Sequence, residues 1–103
     1  MNELIYGENT GVGYKVFLPD WTTKNGNLSL FEVGKEYIHD SEIELCKSGF
    51  HFCENLIDCF KYYDWDICNK VALIHFDKST YHSGNDKSVC KKLYIVRELD
   101  WNE

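Results

Sequence analysis

The chain has 103 residues, 44% hydrophobic and 16% aromatic, which is material for one domain around one core and argues against disorder. Eleven Lys and Arg stand against 17 Asp and Glu, a net charge of −6 with Arg97 the only arginine, so the basic face that phosphate neutralisation needs is missing. No stretch is long enough to span a membrane and Met1-Asn2-Glu3-Leu4 opens no export signal; a cytoplasmic protein that binds neither nucleic acid nor membrane is expected.

In chain order, Leu4-Ile5-Tyr6 pairs loosely and Gly7 to Gly13 reads as a flexible lead-in. Gly13 to Leu18 is a strand, ended by Pro19-Asp20, and Asn25-Gly26 marks a turn in the following loop. Leu28 to Val33 is a second strand, which Gly34-Lys35 turns into Glu36-Tyr37-Ile38-His39. Glu42 to Cys46 alternates polar and apolar, as a half-buried strand does.

The central unit is Ser48 to Tyr63. A glycine releases the chain into the apolar run Phe50-His51-Phe52-Cys53, and Glu54-Asn55 stops it. Asn55 suits a helix N-cap, with the Asp58 carboxylate near the free N–H groups. At 100° per residue, Leu56, Ile57, Cys59, Phe60 and Tyr63 share one face, so a short helix packed back on the sheet is predicted. Beyond it, Val71 to Phe76 is nearly continuous in apolar residues and reads as a central strand. Asp77 to Lys87 is the longest polar loop, and Ser88 to Leu99 closes the fold as one long strand. The expected class is α+β: a bent, mostly antiparallel sheet with one principal helix.

Five cysteines, at 46, 53, 59, 68 and 90, form no CxxC and sit largely in apolar runs, so they read as reduced core thiols. A metal set of Cys46, His51, Cys53 and Cys59 fits no common zinc spacing. No metal and no cofactor is expected. His51 falls on the strand face opposite Phe50 and Phe52, either as a bonded core histidine or as a ligand contact. Tyr62 lies off the helix's apolar face, free to line a cleft, and Trp21 and Trp65 sit in polar loops where aromatics contact partners or cap a core. Lys87, Lys91, Lys92 and Arg97 form a basic strip that meets a phosphate or keeps an edge soluble.

FEVGKEY (Phe31 to Tyr37), SGFHFCEN (Ser48 to Asn55) and KSVCKKLYIVREL (Lys87 to Leu99), with the opening GYKVF, resemble a family of small uncharacterised domains found in bacterial and phage genomes. That resemblance implies a fold group without a settled activity, and its phage association implies a host-directed, anti-defence inhibitor as one role. A second resemblance is to the core of ADP-ribosyltransferases of the poly-ADP-ribose polymerase type, and it implies a reduced version of that core. Gly49-Phe50-His51-Phe52 fits the family's strand, with His51 in the place of its Tyr; Tyr62 fits the helix Tyr that stacks on nicotinamide, and Leu93-Tyr94-Ile95-Val96 fits a late E-Y-I-V strand. The position of the catalytic Glu is Leu93, and the first strand carries Lys15 in place of a His-Gly or Arg motif. Without that acid the transfer chemistry loses its main electrostatic support, unless Glu98 serves in a shifted register.

The function expected is a non-catalytic binding module that engages a host protein or sequesters a nucleotide-type ligand. His51, Tyr62, Lys15 and Arg97 are the ligand contacts, and Trp21 and Trp65 the partner contacts. The alternative is a rearranged mono-ADP-ribosyltransferase or NAD-cleaving enzyme.

Overall fold

A computed structural model describes residues 5–22, 30–39, 42–43, 49–61, 68–84 and 87–100. Seven strands make up its regular structure: β1 (Thr10–Phe17), β2 (Glu36–Ile38), β3 (Phe50–Phe52), β4 (Lys70–Asp77), β5 (Tyr81–Ser83), β6 (Ser88–Cys90) and β7 (Lys92–Glu98). They form a four-stranded sheet in the order β1-β4-β7-β2 and a three-stranded sheet in the order β3-β6-β5, with antiparallel pairing between all neighbours.

The two sheets face one another across the main core. Strand alternation puts Phe17, Ala72, Ile74, Phe76, Leu93 and Ile95 of the larger sheet on one side, and Phe52 and Cys90 of the smaller on the other. Gly11 and Gly13 interrupt β1 without breaking it, because aromatic rings take the space their side chains would fill. A Cβ on Gly13 would stand 2.6 Å from the Phe52 ring, and one on Gly11 would run into Phe76. On the opposite face of β1, Val16 joins Cys53, Cys59 and Val71 in a second, smaller cluster.

The free edge of β1 is capped at one point. Tyr14 and Cys53 exchange backbone hydrogen bonds of 2.8 and 2.9 Å, an isolated bridge that joins the two sheets. The outer strands of the larger sheet are linked as well: the Tyr6 N–H donates to Thr10 Oγ1 and its hydroxyl to Glu36 Oε2, running from β1 to β2.

The expected α+β class is overturned. The described residues contain no α-helix, only short 3-10 turns, and where the principal helix was predicted there is a six-residue 3-10 turn, Leu56–Lys61. That turn and the strand end before it are fixed to one place on β1: Cys53 bridges Tyr14, and the Cys59 thiol donates to the Tyr14 carbonyl at 3.7 Å. The tighter coil, with Asp58 N–H bonded to Asn55 C=O at 3.1 Å, spans that short interval.

Other elements shift too. The lead-in before Gly13 is ordered as the 3-10 turn Gly7–Asn9 and the first residues of β1. Of the strand predicted over Leu28 to Val33, the described residues Leu30 to Val33 are irregular, although Phe31 is buried against Phe17 and Tyr37. Glu42 and Ile43 are not in a strand. The long polar loop contains the 3-10 turn Lys78–Thr80, capped by Asp77, and then β5. The single strand predicted over Ser88 to Leu99 is two, β6 and β7, which lie in different sheets with only Lys91 between them.

Candidate functional site

A polar cleft of about 410 Å³ opens where the chain leaves β3 and faces the β5–β6 hairpin. It is lined by Val12, Glu54, Asn55, Asp58, Gly84, Lys87 and Ser88. The hairpin is closed by the Gly84 N–H donating to the Lys87 carbonyl at 2.9 Å, and Ser83 stands opposite Ser88 in the register. Glu54 clamps the two walls together. Its Oε2 accepts from the Ser83 hydroxyl at 2.9 Å and from the Ser88 hydroxyl at 3.0 Å. Ser88 is buried, so its hydroxyl has nowhere to turn but this carboxylate. Glu54 Oε1 has no hydrogen-bond partner among the described residues.

Glu54 and Asp58 against Lys87 give the lining two carboxylates to one ammonium. Val12 adds one apolar wall, 47% exposed. The site is therefore suited to a ligand with hydrogen-bond donors and a positive charge, and is poorly suited to an array of phosphates. Among the described residues no group of three or more His, Cys, Asp and Glu is placed to hold a metal ion, and no helix is long and apolar enough to cross a membrane.

The family model described as "Domain of unknown function (DUF7666)" matches residues 11–103. The chain belongs to this family. Neither the curated proteins nor the solved structures gave a match.

The DUF7666 domain brings together two of the residues expected at the site. Lys15 lies on the inner face of β1, buried, and its ammonium donates to the His51 backbone carbonyl. It also sits 5.7 Å from the centre of the Phe17 ring. Burial lowers its pKa to about 8, partly opposed by the neighbouring thiols of Cys90, Cys59 and Cys53. The His51 imidazole is only half-buried. Its pKa falls to about 4, first through burial and then through the charges of Lys15 and Lys87, against a hydrogen bond to the Gly49 backbone. His51 thus shares with the cleft one neighbour, Lys87.

The remaining expected residues are placed apart. Arg97 is exposed on β7 opposite Leu73, in the other sheet from His51. Trp21 is half-buried with its ring 5.1 Å from that of Phe17, so it covers one end of the core. Tyr62 and Trp65 lie outside the described residues. Leu93, at the position of the transferase acid, is fully buried in the core. Glu98 stands on β7 opposite Ala72 and lies 3.8 Å from the Lys70 ammonium.

Sequence reasoning missed Glu54 and Ser88 as site residues, set Lys87 in a basic strip with Lys91, Lys92 and Arg97, and took Asn55 and Asp58 for helix-capping groups. One signal was present. Ser83-Gly84 between two short β-prone runs is a hairpin turn, and a hairpin would have set Ser83 beside Ser88.

Proposed function

We propose that this domain is a non-catalytic binding module whose cleft between Glu54 and Lys87 takes a small polar ligand bearing an amino group. The observation that carries the reading is the position of Glu54. Two hydroxyls hold its Oε2 in place, and Oε1 is left for an incoming donor. A carboxylate fixed in this way needs little further ordering when a cation arrives, which favours affinity. Asp58 adds a second negative charge to the lining, beside the Lys87 ammonium. The cleft volume is within the range of about 300–1,000 Å³ usual for small-molecule sites.

A nucleotide-type ligand remains the competing arm. Its phosphates would meet one lysine and two carboxylates, which is an unfavourable balance. The non-catalytic half of the reading draws support from Leu93, which occupies the core where the transferase comparison would need an acid.

The test is a thermal-shift titration with putrescine, lysine and glucosamine in one arm, and NAD, ADP-ribose and cyclic AMP in the other. A ligand at about a hundred times its Kd stabilises the fold by about 2.7 kcal/mol, which is readily seen. The expected outcome is a shift with an amine that disappears in Glu54→Gln. A shift confined to the nucleotide arm, or an amine shift that survives Glu54→Gln, would refute the assignment.

A further inference from the structure

We propose that Cys53 and Cys59 are an oxidation site: a hydroperoxide converts the two thiols to a disulfide that closes the loop carrying Glu54, Asn55 and Asp58. Two features of the structure place the two thiols together. Both residues belong to the small cluster with Val16 and Val71. Both are fastened to the same Tyr14 carbonyl, Cys53 through its N–H at 2.9 Å and Cys59 through its thiol at 3.7 Å. Both residues are buried, and neither forms a disulfide in the structure.

The surroundings favour one order of events. The Lys15 ammonium is buried within electrostatic reach of both sulfurs and offsets part of the burial that disfavours a thiolate there. Cys59 holds its proton, because that proton is donated to the Tyr14 carbonyl and desolvation disfavours its ionised form. Cys53 is therefore the sulfur that ionises and attacks. The Cys53 thiolate displaces water from hydrogen peroxide, forming the sulfenic acid at Cys53. The Cys59 sulfur then attacks the sulfenic sulfur, its proton leaves with the hydroxide as a second water, and the S–S bond forms. Two thiols and one peroxide give one disulfide and two waters; the thiols are oxidised and the peroxide is reduced.

The loop between the two sulfurs supplies three of the seven residues that line the cleft. Closing it restricts where the Glu54 and Asp58 carboxylates can move, so oxidation changes the cleft's response to its ligand. This last step rests on the binding reading above; formation of the bond does not.

The experiment uses the full chain carrying Cys68→Ser, which removes the one exposed thiol among the described residues. Protein is treated with hydrogen peroxide, quenched with iodoacetamide in denaturant, and read by intact mass and peptide mapping. The expected result is a loss of ~2 Da, a linked Cys53–Cys59 peptide and an alkylated Cys90. Lys15→Met should slow bond formation by about tenfold, as a one-unit rise in thiol pKa would. Cys59→Ser should leave Cys53 as a sulfenic acid that dimedone captures. Cys53 and Cys59 both alkylated after peroxide, or no dimedone adduct in a Cys59→Ser protein with an unchanged circular dichroism spectrum, would overturn the proposal. Putrescine titration of the reduced and oxidised forms separates the two ideas. A bond that forms in a protein indifferent to putrescine leaves the oxidation site standing and removes the cleft reading; putrescine binding without a bond does the reverse.

Discussion

The Lys15 ammonium donates a hydrogen bond to the backbone carbonyl of His51, joining the inner face of β1 to an edge strand of the second sheet. A lysine in this position is held by one carbonyl, one aromatic ring and neighbouring thiols. Its burial therefore costs stability while it carries a proton.

That cost makes the fold pH-dependent on the alkaline side. Lys15 has a pKa of about 8 in the folded chain against 10.5 when exposed. Below pH 8 both states are protonated and the full penalty, about 3 kcal/mol, is present. Between pH 8 and 10.5 the unfolded chain binds more protons than the folded one, so stability rises with pH. Urea denaturation at pH 7.5 and 9.5 should show the stability of the parent protein rising relative to that of Lys15→Met, because the buried Cys59 and Cys90 thiols, whose pKa values are raised, lower stability over the same range in both. An equal rise in the variant would mean that another group is responsible.

His51 makes the acid side labile. Its pKa of about 4 in the fold, against 6.5 when exposed, means that unfolded chains take up a proton which folded ones refuse. No penalty exists above pH 6.5, and stability falls as the pH drops from there towards 4. The ring is half-exposed, so after solvent screening the loss is about 1–2 kcal/mol. His51→Gln should shallow the decline, leaving a residue in the same direction from His75, which is buried with its Nδ1 unpartnered among the described residues. An unchanged slope in the variant would show that His51 does not contribute.

Gly13 is kept small by Phe52. Gly13→Ala places a Cβ 2.6 Å from the Phe52 ring and 3.1 Å from the Cys53 carbonyl oxygen, and the second contact is backbone. The expected cost is about 1–3 kcal/mol, read as a lower urea midpoint at constant slope. The double variant with Phe52→Leu should recover part of it, since neighbours in contact do not add independently. Simple additivity would place the strain elsewhere.

Glu54 holds the hairpin to the body of the domain. Glu54→Ala strands the buried Ser88 hydroxyl and should cost about 1–2 kcal/mol. Amide exchange is expected to quicken in β5 and β6, while the protection of β4 and β7 falls only by the global loss of stability. Uniform acceleration across all strands would argue that the clamp is not local.

The sequence made much of this legible where a pattern is local. The apolar run Val71 to Phe76 marks β4, and the alternation from Gly13 marks β1 with Lys15 on the side of Phe17. Over the six residues from Leu56 to Lys61 a period of 3.6 cannot be told from 3.0, and what decides between them is the fastening of Cys53 and Cys59 to Tyr14. The change of sheet at Lys91 has no glycine or proline to announce it. The cleft gathers Val12, then Glu54, Asn55 and Asp58, then Gly84, Lys87 and Ser88, which are neighbours only once the bridge between Tyr14 and Cys53 has formed.

Lys91 is the whole distance between β6 and β7, and its backbone is spoken for on both sides: its N–H donates to Thr80 at 3.1 Å and its carbonyl accepts from His39 at 2.8 Å. No hinge exists along this ribbon. The domain cannot open like a book along the join, so heat should melt it in a single cooperative step, and a pull on one layer is felt at once in the other.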